Sequence, residues 1–502
     1  VQTIETHISW VFLAGRFAYK LKKPLRFEFL NFSTPELRRQ ACVDEVRLNR
    51  RLAPDVYLAS LPITVESGRG LKFGGNGQVV DHVVKMRRLP SDRAVDRLIR
   101  NRALQDADVV RISRFLAEFY TRLPPQVLRP HVHHQRLVAH CRANLQGLLA
   151  NGAQLADRDA SVARIHGAQV RFLWLESEMF GDRVRDGRIV DGHGDLRAEH
   201  IYLESNPVVI DCLEFSRELR EVDAVDDLCF LAMDCQRLGE PRLAERLLVE
   251  YQHSSGDRPP EELLAFYKSY RACVRAKVAF LRGAQAQVPQ AREAVRQAQE
   301  YLQWADNYAA QLGPPLLVVI GGLMGSGKST LATRLAQELG GVVLRTDTVR
   351  RALFGRSRSA ASYAEGLYDQ HHRARVYHTL FAHAQRRLAA GGSVVLDGTF
   401  LTNDLRGAAV SLGERLGAST RFVQCVCPRE ISLQRMLHRG TSDPAASEAR
   451  PELYDDQLGD REPVAPMLPA VWIDTTLPMD EQLDLVRRVL NGRRQNRDGQ
   501  PR

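Results

Sequence analysis

The segment Gly322-Leu323-Met324-Gly325-Ser326-Gly327-Lys328-Ser329 fits the pattern G-x-x-x-x-G-K-[ST] and constrains this chain more than any other stretch. Backbone N–H groups of a glycine-rich turn converge on phosphate oxygens only when a strand leads into the turn and a helix leaves it. Both flanks comply. The apolar run Leu316 to Ile320 reads as a buried parallel strand, and Thr330 to Leu339 reads as an amphipathic helix closed by Gly340-Gly341. A nucleoside triphosphate, ATP or GTP, is therefore the expected ligand. Gly322, Met324, Gly325, Ser326, Gly327 and Thr330 form its cradle, Lys328 reaches the terminal phosphates and Ser329 holds Mg²⁺.

A chain of 502 residues, 44% of them hydrophobic, is too long for one core and predicts two or three domains of an α/β, multi-domain class. The net charge is +10, yet only eight of the 70 basic residues are lysines and the arginines are dispersed. Such a surplus suits phosphorylated substrates and does not mark a nucleic-acid patch, so a nucleic-acid acceptor ranks behind a small molecule. The eight cysteines form no C-x-x-C pair and lie mostly in apolar stretches, as expected of reduced, buried thiols in a cytoplasmic protein. No signal peptide and no apolar run of 18 residues appears, so no membrane span is expected. The chain opens at Val1, and N-terminal sequence is expected to precede it.

Along the chain, residues 1–95 alternate short apolar runs with turn signals, and Val11 to Lys20 reads as a β-hairpin. Residues 96–285 are mainly helical, interrupted at 186–215 by short strands around a charged loop. A helical linker over 286–312, expected to be solvated from Ala284 to Ala310, ends at Gly313-Pro314-Pro315. Over 313–490 strands alternate with helices, at Val342 to Leu344, Val394 to Leu396, Phe422 to Cys425 and Val471 to Ile473, which predicts a doubly wound parallel sheet. A flexible tail follows over 491–502.

Phosphoryl transfer needs a carboxylate near Mg²⁺ and a group that positions the acceptor. Asp347 follows the strand Val342 to Leu344, where open α/β sheets bind ligands, and could take the proton of an attacking hydroxyl or cap the next helix. Asp397 ends the apolar run Val394 to Leu396, as a Walker B-like acid for Mg²⁺ or as a turn residue. Arg435, His438 and Arg439 share a helix that reads either as a lid or as a solvated face. The strings GGLMGSGKST, LRTDTVRR, SVVLDGTF and CVCPREISLQRMLHR resemble P-loop kinases related to zeta toxins, gluconate kinases and polynucleotide 5′-kinases. That resemblance implies Asp347 as base toward the acceptor hydroxyl, Arg350 on substrate or phosphate, and Arg435 and Arg439 as lid arginines. The acceptor it implies is a small-molecule hydroxyl or, as the alternative, a nucleic-acid 5′-hydroxyl.

A second constellation lies upstream. Asp195, in His193-Gly194-Asp195-Leu196, and Asp211, after Val208-Val209-Ile210, are two acids at strand edges, suited to a base and a Mg²⁺ ligand. HGDL and VVIDCLEF resemble the catalytic loop and metal segment of aminoglycoside phosphotransferases and choline kinases, and Ala18-Tyr19-Lys20-Leu21 resembles their lysine strand. The resemblance implies a bilobal kinase-like α+β fold over residues 1–285, with Asp195 as base and Asp211 as Mg²⁺ ligand. It also implies Lys20 on the phosphates, Glu45 paired with Lys20, and Met86 beside adenine. Taken alone, Lys20 could instead be one surface lysine among Lys22 and Lys23. Two departures stand out: His200 replaces the family's asparagine at the second metal position, and Thr6 to Ser9 replaces a glycine-rich phosphate loop. Asp226 or Asp227 is expected to brace the catalytic loop, and the acids Glu218 to Asp227 could alternatively receive a cationic acceptor. The two-domain order resembles bacterial two-kinase fusions, implying a bifunctional ATP- and Mg²⁺-dependent phosphotransferase, or a kinase regulated by a nucleotide-binding first half.

Overall fold

Charge and apolar patterning fold the chain, in a computed structural model, into two compact units: residues 1–133 with 181–301, and residues 134–180 with 302–502. The structure describes all residues except 7, 28–29, 67–69, 152–157, 286–287, 356–369, 443–450, 467, 469 and 492–502. The tail from 492 and the segment 443–450 after the arginine-bearing helix thus lie outside the described residues.

The first unit opens with an antiparallel sheet of six strands in the spatial order Gln2–Glu5, Ser9–Ala14, Phe17–Lys22, Gln78–Arg87, Tyr57–Glu66 and Gly70–Phe73. The expected hairpin is its second and third strands, joined at Gly15, whose φ of +55° suits a residue without a side chain. Period-2 alternation turns Ala18, Lys20 and Lys22 to one buried face. The helix Pro35–Asn49 packs there, with proline in its first turn and the Thr34 hydroxyl accepting from the Leu37 N–H. Cys42 and Val46 from the helix meet Ala18, Val56, Tyr57, Val84 and Met86 from the sheet. Met86 is thus a core side chain. Lys22 corrects the sequence reading, since it is fully buried among acids and not a surface lysine.

The rest of the first unit is helical around two short strand pairs, Ile189–Asp191 with Glu221–Asp223 and Ile201–Leu203 with Pro207–Val209. The helix Ala224–Arg237 is buried nearly all round, so its acids Asp226, Asp227 and Asp234 need internal partners.

In the second unit a parallel sheet runs in the order Val342–Arg345, Val394–Asp397, Leu316–Gly321, Ser419–Val426, Ala470–Asp474. Leu316, Val318 and Ile320 face Leu331, Leu335, Leu483 and Val486, while Leu317 and Val319 face Val376, Leu380, Ala409 and Leu412. Helices therefore cover both faces, which is why the central strand reads as an unbroken apolar run. Each of the Leu, Ile and Val side chains among these stabilises the unit by ~1.5–3 kcal/mol on burial. The helix Arg158–Leu175, far upstream in sequence, belongs to this unit: Trp174 enters the core and Arg171 donates to the Gly313 carbonyl at 2.8 Å. The stretch Ala284 to Ala310 departs from the solvated helix expected, because Ala294, Ala298, Tyr301, Leu302, Ala305 and Tyr308 bury one side of it. Seven cysteines are buried, Cys427 is partly buried, and none of the eight forms a disulfide. No described helix is long and apolar enough to cross a membrane.

The first unit rests on one buried charge cluster. Arg183 makes two bonds to Asp223, both at 2.7 Å, and two to Asp257, at 2.6 and 2.8 Å. Removing the guanidinium strands two buried carboxylates. Arg183→Met should cost about 3–5 kcal/mol of stability, read as a lower urea midpoint for the first unit, whereas an unchanged midpoint would show that the cluster contributes nothing.

Candidate functional site

Gly325 and Gly327, at φ +76° and +83°, turn the chain between the central strand and the helix Lys328–Glu338. A Cβ on Gly325 would stand 2.4 Å from the Ser432 carbonyl oxygen, so the turn tolerates no side chain there. No side chain caps the helix, which leaves its first N–H groups for an anion. Lys328 donates to the Leu323 carbonyl at 2.6 Å, folding its ammonium back over the loop. Two residues with no motif of their own hold this loop. Gln457 accepts from the Met324 N–H at 2.7 Å, and the Thr475 hydroxyl donates to the Ser326 carbonyl at 2.8 Å. Both arrive from elements more than a hundred residues downstream.

The parallel register pairs Arg345 with Asp397, so the two neighbouring strands end side by side next to the P-loop. Asp397 is 4% exposed and hydrogen-bonded by the Ser329 hydroxyl. Burial pushes its carboxyl above the usual range, while Lys328, Ser329 and Arg345 pull the other way. Arg345 Nε stands 3.4 Å from Asp397 Oδ2. Asp347 lies in the first turn of the helix Thr346–Phe354, one residue past the start, so it is not the helix cap; Arg345 occupies that position. Arg350, one turn on, donates to Asp347 Oδ1 at 2.7 Å. The Ser329 hydroxyl and the Asp397 carboxylate are hard oxygen donors in mutual contact, a set that fits Mg²⁺ shared with nucleotide phosphates.

Arg435 stands at the P-loop, where a Cβ on Gly327 would lie 3.3 Å from its guanidinium. Its guanidinium donates to Thr475 Oγ1 at 3.0 Å and to the Thr475 carbonyl at 2.9 Å, which ties it to the P-loop through Thr475. The side chain of Arg439 lies outside the described residues. Thr330 sits in the first turn of the P-loop helix, and Gly322 adopts φ +142° where a Cβ would meet the Cys425 carbonyl at 2.6 Å.

In the first unit, Lys20 Nζ lies 2.8 Å from Glu45 Oε1 and also bonds Asp211 Oδ1. Lys22, two residues along the same strand face, lies 2.6 Å from Glu45 Oε2 and bonds Glu214. Burial alone would discharge both lysines, but the acids outweigh it and hold both above their ordinary pKa. Asp211 has φ +67°, a strained conformation for a residue with a Cβ. Tyr57 Oη accepts from its N–H at 3.1 Å and Asn49 Oδ1 accepts from the next N–H at 2.9 Å, so the strand and helix both clamp the turn.

The loop of Asp195 is braced as expected. Asp227 accepts from the N–H groups of His193 at 2.8 Å and Gly194 at 3.0 Å, and Arg271 links Asp226 to the Gly194 carbonyl at 2.9 Å. Asp223, Asp226 and Asp227 are therefore spent on internal partners, which removes them as receivers of a cationic acceptor. Burial opposes ionisation of Asp195, but Arg197, His200 and Arg275 outweigh it and hold the carboxyl down to about 2. Arg197, which carried no sequence signal, bonds Asp195 Oδ2 through Nε at 3.1 Å.

His200 Nδ1 contacts the Asp195 carbonyl at 2.9 Å and Nε2 contacts an Arg197 nitrogen, also at 2.9 Å. A carbonyl only accepts and a guanidinium only donates, so the ring is neutral with its proton on Nδ1. Burial first, then Arg197, lowers its pKa to about 4. With the Nε2 lone pair taken and no oxygen to offer, His200 does not fit as a ligand for Mg²⁺, whereas the Asp211 carboxylate does. Met86 presents only its packed side chain to the core.

Residues 317–464 match the AAA domain family. A gluconokinase from Sinorhizobium meliloti shares 20% identity over 37% of this chain and 96% of its own, at a TM-score of 0.27. Two relatives span far more: the uncharacterized proteins Rv2004c of Mycobacterium tuberculosis and Mb2027c of Mycobacterium bovis are each 33% identical over 452 residues, covering 88% of this chain and 87% of theirs. An alignment of that length takes in both units, and the chain belongs to the family of these two mycobacterial proteins, with an AAA domain P-loop in its second unit.

Proposed function

We propose that the second unit is a P-loop kinase that transfers the γ-phosphoryl group of ATP to a hydroxyl of a small molecule. The observation that carries this reading is the convergence of Ser329, Asp397 and the Asp347–Arg350 pair at the ends of three adjacent elements. A nucleotide switch needs the first two, but a carboxylate–arginine pair at the next strand end suits an acceptor. ATP with Mg²⁺ supplies the phosphoryl group and shields its charge, with Ser329 and Asp397 as the cation's protein oxygens. Asp347 takes the acceptor's proton, Arg350 keeps that carboxylate ionised, and Lys328 faces the terminal phosphates. Arg435 holds the loop through Thr475.

For the first unit we propose an aminoglycoside-phosphotransferase-like site with Asp195 as base, Asp211 as cation ligand and Lys20, set by Glu45, on the phosphates. The chain from buried Glu45 through buried Lys20 to the part-exposed Asp211 carboxylate supports it. The protein is then a bifunctional phosphotransferase acting in the cytoplasm. One observation favours a second reading: His200, occupied by Arg197, deprives the site of an oxygen ligand, as in a nucleotide-binding regulator of the second unit. A nucleic-acid 5′-hydroxyl remains the alternative acceptor for the second unit.

Incubation with γ-labelled ATP and a panel of metabolites and oligonucleotides separates these. Lys328→Ala should abolish one product by at least ~100-fold and Asp195→Asn a different one. Labelling confined to oligonucleotides would overturn the small-molecule acceptor, and full activity in Asp195→Asn would make the first unit a regulator. Asp347→Asn should lower kcat by ~100-fold or more with little change in the KM for ATP.

His200 also predicts acid sensitivity. Its folded pKa of about 4 lies below the ordinary 6.5, so the unfolded chain binds the extra proton first and stability falls as pH drops from about 6.5 toward 4. At ~1.4 kcal/mol per unit this amounts to roughly 2.5 kcal/mol by pH 4.5. Urea midpoints at pH 7 and pH 4.5 should differ less in His200→Asn than in the unaltered chain, and equal differences would contradict the neutral buried ring.

A further inference from the structure

The loop after Asp195 folds back on itself at once. Arg197 is extended, and the tight 3₁₀ turn Ala198–His200 follows it, with the His200 N–H donating to the Arg197 carbonyl at 3.0 Å and the Ala198 N–H to Asp234 at 3.2 Å. Such a turn brings side chains three positions apart together, here those of Arg197 and His200. All three guanidinium nitrogens of Arg197 are then engaged. Nε lies 3.1 Å and Nη2 3.0 Å from Asp195 Oδ2, Nη2 also donates to His200 Nε2 at 2.9 Å, and Nη1 bonds Glu199. A guanidinium held at each nitrogen is a fixed charge, and its planar fork loses little freedom in being held.

Four side chains thus form a continuous series from Asp195 through Arg197 and His200 to Asp211, whose Oδ2 lies 3.7 Å from His200 Nε2. The charge of Arg197 reaches both ends. Burial works against ionisation of Asp211, and Lys20 foremost, with Arg197 among the rest, holds that carboxyl below its usual range. The two acids differ in what they can still accept. The Asp211 side chain is 43% exposed and Lys20 bonds only its Oδ1, so one divalent cation can join it from solvent. A cation between Asp195 and position 200 would have to displace the guanidinium from both, and would meet an imidazole nitrogen where Mg²⁺ prefers oxygen. With the guanidinium in place, a dication there would stand against a like charge in a poorly solvated interior.

We infer that the first unit takes a single divalent cation with its nucleoside triphosphate, at Asp211, and that the Arg197 guanidinium supplies the positive charge a second cation would bring beside Asp195. This rests on the proposed reading of that unit as a nucleotide site with Asp211 as cation ligand, and it holds whether the unit transfers the phosphoryl group or only binds the nucleotide. Phosphoryl-transfer sites commonly clamp the phosphates between two metal ions. Here one of the two charges is covalent: it needs no free metal, and chelation cannot remove it.

The test counts bound Mn²⁺, a paramagnetic substitute for Mg²⁺ with the same preference for oxygen, by electron paramagnetic resonance. It uses the full chain carrying Lys328→Ala, to weaken the second unit's site, with a fixed excess of a non-hydrolysable ATP analogue. The difference in bound Mn²⁺ between this chain and one that also carries Asp211→Asn is the first unit's share. A share of one is expected, and a share of two overturns the inference. Adding Arg197→Gln together with His200→Asn removes the guanidinium and supplies an amide oxygen, and should raise the share from one to two. His200→Asn alone should leave it at one, because Arg197 still fills the place. A share that stays at one in the double variant, or reaches two in His200→Asn alone, overturns the part assigned to Arg197. The count on the chain with native Arg197 and His200 decides by itself between one cation and two if the double variant does not fold. A share of zero overturns the inference together with the nucleotide-site reading. A share of one with no Asp195-dependent product from γ-labelled ATP and the metabolite panel upholds the inference and sinks only the phosphotransferase reading.

Discussion

The second unit depends on one strand buried on both faces. Leu316–Gly321 is hydrogen-bonded in parallel to Val394–Asp397 on one side and Ser419–Val426 on the other, and its alternate side chains fill two separate cores. Because the strands are parallel, their C-terminal ends share one edge of the sheet. The glycine turn, Asp397 and Asp347 are delivered to that edge together, and no functional side chain needs to reach far. The P-loop then needs bracing from outside the motif, which Thr475 and Gln457 provide through loop carbonyl and amide groups.

The first unit solves a different problem, that of burying charge. Lys20, Lys22, Glu45, Asp211 and Glu214 would each be costly alone, and they are tolerable as an alternating chain. The same arrangement couples the sheet, the helix Pro35–Asn49 and the strained turn at Asp211, so each of the three fixes the other two. Elsewhere in the unit, carboxylates are spent on arginines and backbone amides, as Asp223, Asp226 and Asp227 are. In the loop that results, Asp195 stands against Arg197.

Much of this was legible from residue patterns. The parallel sheet was readable because its strands are short apolar runs, three of them closed by glycine or acid, that alternate with helical stretches, and the hairpin at Gly15 because alternation has a period of two. The pairing of Lys20 with Glu45 was implied by the resemblance of Ala18-Tyr19-Lys20-Leu21 to a kinase lysine strand, not by the residue pattern alone. Lys22 was misread since two lysines in near succession look solvated. Only the alternation of the strand, with Glu214 arriving from 192 residues away, makes its burial affordable. The bond from Arg435 to Thr475 was not legible, because nothing local shows that Thr475 waits for it.

The sequence by itself determined where a phosphate can be held, since glycine conformation, helix start and strand end are local properties written within some twenty residues around Gly325. It also determined which acids stand at strand ends. Only the tertiary structure decided which charges are spent and which remain available. Asp226 and Asp227 became braces, His200 lost its lone pair to Arg197, and Arg271 came to hold the Gly194 carbonyl next to Asp195. Those outcomes depend on distances between groups far apart in the chain, and electrostatic energy in a poorly solvated interior is set by such distances, not by order along the chain.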